Sequence, residues 1–530
     1  MLKPKPKQTS FYDTDAIADP LLPPDSFHRQ FRELVWPLIQ DQDFESIYCI
    51  HNGRPAISPA LLAMALILQY HENLSDREME AACRYDLRLK YALGLGIDER
   101  PFDHSSLGDF RDRLLKHEKE KAVFDRILES LIAQGLIAKD ESQRIDATHV
   151  IADIAIPSMI TLVKKGIYEI LKPVAKRHAE THRRIADQVH LAPYSKAKVN
   201  ENHPGRPDEV LRTRVLVQAV RDARTILREV ESITGDPILD RRVQLLKRIL
   251  QENIENDASG TPKEKDYKAK PKDLLVSPVD PDARYGAKSA TKRFTGYKAN
   301  VTETVHSRFI TNIKAMRGNR PDGETMVAAV ADQKSHNLVP AKLIGDTAYG
   351  DGAYRKALGE AGTQVVAPQH AANPRTRAVY PKSAFQHDES ANTLTCPNGV
   401  TVKAYYYDTY QEMTMFHFPK SACGECSHRP RCTQTKEARR VVGISAHNKE
   451  LREAELYNQT EQFKQDMRLR PAVEGKLSEL VRYHGLRRAR YRGLNKVSLQ
   501  FYFTAAAVNV KRWMKQMRQR RSPVPEAVPA

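Results

Sequence analysis

The chain has 530 residues, of which 41% are hydrophobic and 28% charged, and its net charge is +18. Single hydrophobic cores stop growing at roughly 250–300 residues, so this length predicts more than one domain. The positive charge favours a polyanionic partner, with nucleic acid first, although a generic basic protein would have the same balance. Six cysteines in this length exclude a disulfide framework like that of small secreted domains.

The start of the chain shows no targeting segment. The basic stretch MLKPKPKQTSFYD is not followed by an apolar stretch. The longest apolar run, near residues 61–68, is far shorter than the ~20 residues that cross a bilayer. We therefore expect a cytoplasmic protein without a membrane partner. Residues 1–25 are rich in Pro and Lys, which predicts a flexible N-terminus.

Residues 26–140 have the pattern of short helices separated by tight turns. Ser58 and Pro59 supply an N-cap followed by proline at the first helical position. Ser75 with Glu78 three residues later forms a capping box. This arrangement is typical of a helix-turn-helix-like DNA-binding bundle, and equally of any small helical domain.

An α/β core follows. Residues 141–156 are apolar and β-branched and predict a strand that carries Asp146. Residues 157–275 return to long helical patterns that end in a polar, Lys-rich linker. In residues 276–370 strands and helices alternate, and Asp346 directly follows one strand. This order predicts an α/β core with a helical segment inserted after its first strand.

The two strand aspartates suit metal-assisted phosphoryl transfer. That chemistry needs several carboxylates from separate elements, because hard oxygen ligands hold Mg²⁺ or Mn²⁺. For the third ligand we favour Glu474, which lies in a helical and basic segment that can also grip phosphates. Taken singly, each aspartate is more often structural, and Asp346 has an alternative as the cap of a helix near Tyr354. Second choices as ligands are Glu461, Glu479, Asp153, Asp322 and Asp351.

A cysteine cluster lies between Asp346 and Glu474, in residues 371–450. Its members are Cys396, Cys423, Cys426 and Cys432. Four sulfurs, two of them in a Cys-x2-Cys pair, suit tetrahedral Zn²⁺ in a small β-ribbon. His417 or His428 could replace one of the cysteine ligands. An iron–sulfur cluster is an alternative interpretation, and the purely structural interpretation is that the four cysteines are free buried thiols. Cys49 and Cys83 lie in helical segments and are predicted to be core residues.

The chain after Glu474 is strongly basic, with thirteen Lys or Arg against two Asp or Glu. This density predicts binding to the phosphate backbone with a strong salt dependence; the alternative is a solvated helix face. We assign residues 451–515 to a catalytic helix followed by basic helices, and residues 516–530 to a disordered tail. The candidate DNA-binding side chains are Arg470, Arg482, Arg487, Arg488, Arg490, Arg492 and, on a core strand, Lys298.

These motifs together resemble the DDE-type transposases of bacterial insertion sequences. The resemblance runs from about residue 20 to about residue 515. It is carried by ALLAMALILQYHENLSDREMEAACRYDLRLKYALGL, RIDATHV, DPDARYGAK, GYKANV, LIGDTAYGD and VEGKLSELVRYHGLRRARYRGLNKVSLQF. It implies an α/β fold: an RNase H-like core, interrupted by a helical insertion and a small Cys-rich β insertion, after an N-terminal all-helical domain.

The resemblance also implies an activity. Such enzymes cut DNA at transposon ends and join the freed 3′-OH to a target, with two Mg²⁺ (or Mn²⁺) ions held by an acidic triad. By position the triad is Asp146, Asp346 and Glu474. The implied partners are terminal inverted repeats, target DNA and a second copy of the chain, at the bacterial nucleoid. The alternatives are a non-catalytic DNA-binding derivative and a metal-dependent nuclease without strand transfer.

One signature of related enzymes, Tyr-x2-Arg-x3-Glu-x6-Lys, fits in part. Arg470 stands four residues before Glu474, as the signature requires. Met467 occupies the Tyr position, and Val481, with Arg482 beside it, occupies the Lys position. The triad is intact, but the phosphate and base contacts of those relatives do not carry over directly.

Overall fold

The fold is that of a computed structural model of the chain. The structure describes residues 14–49, 56–155, 157–199, 209–289, 291–369, 379–435, 437 and 439–521.

The chain begins with a group of helices: α1 (Thr14–Ala18), α2 (Phe27–Val35), α3 (Pro59–Glu72), α4 (Asp76–Tyr85), α5 (Leu87–Leu93), α6 (His104–Lys116) and α7 (Ala122–Ala133). Both predicted caps are present. The Ser58 hydroxyl accepts from the Leu61 amide, and Ser75 and Glu78 form the capping box. These caps satisfy amide groups that the first turn of each helix leaves without a partner.

Part of the predicted flexible N-terminus, residues 1–25, is helical instead. In α1 both Thr14 and Ala18 are buried. The Thr14 hydroxyl donates to the carbonyl of Leu95 at 2.5 Å, and Arg32 forms an ion pair with Asp15. The Pro- and Lys-rich composition of the first residues hid this short helix; residues 1–13 lie outside the described residues.

After strand β1 (Gln143–Ile151) the chain leaves the sheet for the predicted helical segment. Its helices are α8 (Met159–Arg177), α9 (Ala179–Gln188), α10 (Glu209–Glu229) and α11 (Pro237–Asn253). They bury apolar faces in a core of their own. The stretch predicted as a linker includes the hairpin β2 (Ile254–Asn256) and β3 (Pro262–Glu264).

The chain then returns to the sheet. The elements are β4 (Arg284–Ala287), β5 (Arg293–Thr304), β6 (Ile310–Arg317), α12 (Met326–Ser335), β7 (Lys342–Ile344), α13 (Gly352–Glu360) and β8 (Gln364–Val366). The strand order is β4-β5-β1-β7-β8, with β6 also paired to β5. Strand β5 is antiparallel to β1, β4 and β6, whereas β1, β7 and β8 are parallel. The predicted order of strands and helices from β5 to β8 is present, whereas β4 was not predicted.

The cysteine-containing region forms two small antiparallel sheets. Its elements are β9 (Gln386–Asp388), β10 (Thr393–Thr395), β11 (Thr401–Lys403), β12 (Tyr406–Asp408), β13 (Met413–His417), α14 (Lys420–Gly424), α15 (Arg429–Cys432) and β14 (Val441–Ser445). Aromatic and aliphatic side chains from both sheets share one small core.

The chain continues through α16 (Asn448–Asn458), α17 (Glu461–Leu469), α18 (Ala472–Tyr483) and α19 (Leu494–Arg521). Helix α19 extends past residue 515, where the sequence predicts a tail; residues 522–530 lie outside the described residues. It packs against α2, α3, α7 and β6, and a single apolar cluster joins these elements. Residues 26–140, predicted as a separate domain, therefore share their core with the sheet and α19.

In the described part of the chain, no helix is both long enough and apolar enough to span a bilayer.

Candidate active site

A cavity of about 540 Å³ lies beside β1 and β7, and we call it the carboxylate cavity. Its lining includes Asp146 in β1, Asp346 after β7 and Glu474 in the first turn of α18. The structure thus brings all three predicted triad residues to one place. It adds Asp322, a second choice in the sequence, from the turn before α12.

Strand register explains why the two aspartates meet. In the parallel pair of β1 and β7, Arg144 lies opposite Ile344. Two residues further along each chain, Asp146 and Asp346 follow at the same level on neighbouring strands. Side chains alternate between the two faces of a strand, so a residue two positions after a paired residue is on the same face of the sheet. Asp146 and Asp346 each stand two positions after a paired residue.

The Asp346 side chain has two contacts. Its Oδ1 accepts from the Ala348 amide at 2.9 Å and so caps a short 3-10 turn. Its Oδ2 lies 3.6 Å from Nη2 of Arg470. The helix near Tyr354 is capped by Asp351 instead, through the Ala353 amide at 2.9 Å. Capping and a role in the cavity are therefore compatible for Asp346.

A buried ion cluster fixes the segment that carries Glu474. At its centre is Glu303 of β5, which is completely buried. Arg144 donates through Nε to Glu303 at 3.1 Å and through Nη1 to the Leu469 carbonyl at 2.8 Å. Arg144 therefore ties the C-terminal end of α17 to the sheet.

A second arginine ties the start of α18 to the same carboxylate. Arg308 donates through Nε to Glu303 at 2.6 Å and through Nη2 to the Ala472 carbonyl at 3.3 Å. Lys476 Nζ lies 3.9 Å from Glu303. The first turn of α18, which holds Glu474, is thus anchored to β5 by charge-assisted contacts.

Arg470 lies among the triad carboxylates. Its guanidinium nitrogens are 3.3 Å from Asp146 Oδ2, 3.6 Å from Asp346 Oδ2 and 3.7 Å from Glu474 Oε1. A single planar cation therefore bridges three converging negative charges.

Burial dominates the electrostatics of Asp146. The pKa of Asp146 is raised to about 6: burial raises it most, the Ala147 amide and Arg470 lower it, and the nearby charges of Asp346 and Asp322 raise it. Converging carboxylates from separate elements are the donor set that a divalent cation stabilises. The residues present therefore fit Mg²⁺ or Mn²⁺.

The spacing of the ligand atoms is looser than in a closed metal site. Among the described residues, one group of three has ligand atoms all within 4.8 Å of one another: Glu80, Asp103 and His104. Local capping accounts for that group, because Glu80 accepts from the His104 amide and Asp103 from the Ser105 amide. The triad carboxylates are further apart, with the Arg470 guanidinium next to each of them.

The predicted DNA-binding side chains separate into two sets. Lys298, Arg482 and Arg487 line the carboxylate cavity. Lys298 forms an ion pair with Asp322 at 2.6 Å, and Arg487 donates to the His149 carbonyl at 2.6 Å. These cations surround the acidic centre.

The other predicted cations are not among the residues that line the cavity. Arg470 faces the triad, and Arg488 is exposed outside the cavity lining. Arg490 donates to the Leu74 carbonyl at 2.5 Å and stacks on Tyr70, which makes it a tie between α3 and the C-terminal segment. Arg492 pairs with Asp153 at 3.5 Å.

The remaining second choices for the third ligand have other contacts. Glu461 pairs with Lys464 on the surface, Asp153 with Arg492, and Asp351 caps α13. Glu479 accepts from Lys476 and Lys511 on a different side of α18.

The four clustered cysteines line one cavity of about 20 Å³. That space suits about one water-sized occupant. Burial raises the pKa of Cys432, and Arg440 lowers it. The three neighbouring thiols also raise this pKa, which shows that the four thiols interact electrostatically. Among the described residues, no three of these thiols come within 4.8 Å of one another.

The two alternative histidine ligands differ. His428 lines the cysteine cavity and bonds the Tyr380 hydroxyl at 2.9 Å. His417 stacks on Tyr405 outside the cavity lining. Of the other cysteines, Cys83 is buried as predicted, whereas Cys49 is exposed, because it lies after the end of the 3-10 turn Asp41–Ile47 rather than in a core helix.

His149 was not predicted as a site residue, and it lines the carboxylate cavity. Burial and the cations of Arg487 and Lys288 lower the pKa of His149 to about 4. An unfolded histidine titrates near pH ~6.5, so the folded state binds fewer protons between these values. The stability contributed by neutral His149 is therefore fully present above pH ~6.5 and lost as the pH falls toward 4.

This difference predicts a pH effect. Between about pH 7.5 and about pH 5, the urea midpoint of metal-free wild-type protein should fall more than that of His149→Gln, which carries no titratable ring. Equal falls in the two proteins would contradict a depressed pKa at His149.

Two family models match the chain. Residues 395–514 match the model described as Transposase DDE domain, and residues 17–113 match the one described as Transposase domain (DUF772). Comparison with curated proteins and with solved structures gave no match. These two matches support a DDE-type transposase of the insertion-sequence type.

The extent of the DDE match bears on the site. It contains Glu474, Arg470 and the four clustered cysteines, and it begins after Asp146 and Asp346. The roles of those two aspartates therefore rest on sequence pattern and on their convergence with Glu474 in the carboxylate cavity.

Proposed function

We propose that this protein cuts DNA at the ends of an insertion sequence and joins the freed 3′-OH ends to target DNA by two-metal phosphoryl transfer. The observation that carries the proposal is the convergence of Asp146, Asp346 and Glu474 in one cavity rimmed by cations. The sheet supports an RNase H-like core, since three antiparallel strands, β6, β5 and β1, are followed by the parallel strands β7 and β8.

The triad would hold the two ions, with Asp322 adjacent. Bound Mg²⁺ or Mn²⁺ supplies activation of the attacking oxygen and stabilisation of the leaving one. Asp146 must be ionised to act as a ligand, and because burial raises its pKa, protonation competes with metal binding at this carboxyl group. Arg470 must leave its central position, and once it has moved it becomes available to a DNA phosphate.

Cations around the cavity would orient the DNA backbone. Lys288, Arg482 and Arg487 line it, and Arg482 is exposed. The proposed partners are the terminal inverted repeats and target DNA, and a homodimer would hold the two ends of the element together. The attacking groups are water and the DNA 3′-OH, so no side chain is required as a covalent nucleophile.

Strand transfer tests the proposal directly. Wild-type protein is incubated with Mg²⁺, labelled terminal-repeat DNA and a target plasmid, and we expect joined product. Nicking without joined product would indicate a nuclease of the same fold. Binding without any Mg²⁺-dependent cleavage would indicate a non-catalytic DNA-binding derivative.

We also propose that the cysteine cavity holds one structural Zn²⁺, bound by Cys396, Cys423, Cys426 and Cys432. The cavity has room for one ion, and a zinc ion would convert the neighbouring thiols to thiolates. Filling it requires the sulfurs to draw closer together. Such an ion would staple the two small sheets of this region.

Metal analysis of purified protein should therefore find about one zinc per chain, with Cys426→Ser losing the zinc and unfolding at lower temperature. Cys49→Ser, at an exposed cysteine in another part of the fold, should keep its zinc. A zinc content near zero in folded, active wild-type protein would remove the zinc assignment.

A further inference from the structure

A second large cavity, of about 680 Å³, lies on another side of α18, and we call it the basic cavity. It forms where α2 and α3, the β5–β6 turn, α18 and α19 meet. Six cations line it: Arg308, Lys476, Lys511, Arg512, Lys515 and Arg518. It shares none of its lining with the carboxylate cavity.

Helix α18 separates the two cavities. Glu474, Leu477 and Ser478 line the carboxylate cavity, whereas Lys476 and Glu479 line the basic one. The two cavities thus lie on different faces of one helix. A ligand in the basic cavity would be held behind the helix that carries Glu474.

Carboxylates compensate only part of this positive charge. Glu479 lies 3.2 Å from Lys476 and 2.9 Å from Lys511. Burial alone would raise the pKa of Glu479, but these two lysines lower it to about 2. The buried Glu303 pairs with Arg308 at 2.6 Å. Apart from Arg518, the five other lining cations adjoin two carboxylates among the described residues.

The cations are also crowded together. Burial lowers the pKa of Arg512, and the neighbouring charge of Arg308 lowers it further. Like charges held this close in a cavity make an anionic ligand favourable, because it removes their mutual repulsion.

The arrangement suits a polymer better than a small ion. Lys511, Lys515 and Arg518 are exposed and follow one another at i, i+4 and i+7 on α19. Residues at this spacing form a row about 10 Å long on one helix face. A single phosphate covers one or two such cations, whereas a nucleic-acid backbone presents charges along the whole row.

We propose that the basic cavity, with the α19 row of Lys511, Lys515 and Arg518, is a second DNA-backbone site that grips duplex DNA outside the segment being cut. The identity of the polyanion as DNA rests on the proposed function. The contacts are to phosphates, so this site adds affinity and salt dependence without reading base sequence.

The first test measures salt dependence. Affinity for a fluorescent duplex of random sequence is measured in EDTA over a series of KCl concentrations. Each phosphate contact contributes about 0.9 to the slope of log affinity against log salt, so Lys511→Gln/Lys515→Gln/Arg518→Gln should reduce the slope by about 2 to 3.

The matched control removes three other cations. Lys334, Lys356 and Lys420 are exposed and line neither cavity, so Lys334→Gln/Lys356→Gln/Lys420→Gln should keep the wild-type slope. Thermal unfolding of both triple variants is compared with wild type, and exposed positions should leave it unchanged. Equal slopes for the two triple variants overturn the proposal.

The second test needs no variant. Acetylation of lysines in the wild-type protein is measured with and without the duplex. Lys511 and Lys515 should be protected by DNA, and Lys334, Lys356 and Lys420 should not. Absence of protection at both lysines overturns the proposal even if the triple variant fails to fold.

Failure of the proposed function can be distinguished from failure of this site, because neither test requires Mg²⁺ or DNA cleavage. If the protein shows no Mg²⁺-dependent cleavage but the slopes of the two triple variants differ, the proposed activity is wrong and the second DNA site is supported. If cleavage is normal but the slopes are equal, the second DNA site is wrong and the proposed activity is unaffected. Protection by inorganic phosphate as strong as that by DNA would show a small-anion site instead.

Discussion

Asp346→Asn should lower Mg²⁺-dependent cleavage of terminal-repeat DNA by at least about 10³-fold, equivalent to about 4 kcal/mol of transition-state stabilisation. The amide keeps an oxygen that can accept from Ala348, so the 3-10 turn should persist. What is lost is the negative charge that faces Arg470 and would bind the metal. Single-turnover cleavage at saturating protein measures the effect.

A matched control lies in the same loop. Asp351 caps α13 and does not line the carboxylate cavity, so Asp351→Asn should cut at close to the wild-type rate. Both variants should bind duplex DNA in EDTA as wild type does. If Asp346→Asn cuts as fast as Asp351→Asn, the assignment of Asp346 to the triad is wrong.

Glu303→Gln should destabilise the metal-free protein by about 3–5 kcal/mol, because removing one partner of a buried ion cluster leaves the others uncompensated. Arg144 and Glu303 are both buried, and Arg308 and Lys476 share the same carboxylate. Glutamine has nearly the same volume, so the loss reports charge rather than packing. Urea unfolding followed by circular dichroism gives the change.

The comparison for this variant is a surface ion pair. Glu324 pairs with Arg320 at 2.5 Å where both side chains are exposed. Exposed pairs contribute about 0–1 kcal/mol, so Glu324→Gln should hardly move the midpoint. Similar midpoints for Glu303→Gln and Glu324→Gln would mean that the buried cluster does not anchor α18.

Local pattern was sufficient for the order of elements from β5 to β8. Apolar and β-branched runs marked the strands, and Asp146 and Asp346 were expected together because each belongs to such a run. Parallel pairing of β1 and β7 then placed them side by side. Glu474 was favoured as the third member of the triad because it lies among basic residues in a helical segment, with Glu461 and Glu479 as second choices.

Long-range contacts account for what the sequence did not reveal. Asp322 lies in a Pro-Asp-Gly stretch typical of a turn, and only the fold places that turn at the carboxylate cavity. Glu303 looks like an ordinary strand residue, yet its partner Arg144 is 159 positions away. Arg490 was expected to bind phosphate, but it contacts Leu74, far away in the chain.

The shared core of α19 and the N-terminal helices has a consequence for how the protein is made. During synthesis, α2, α3 and α7 emerge long before residues 494–521, against which they bury apolar side chains. We expect a nascent chain to keep those faces uncovered until α19 leaves the ribosome, which exposes it to chaperones and proteases. Prematurely terminated copies should therefore be cleared instead of accumulating.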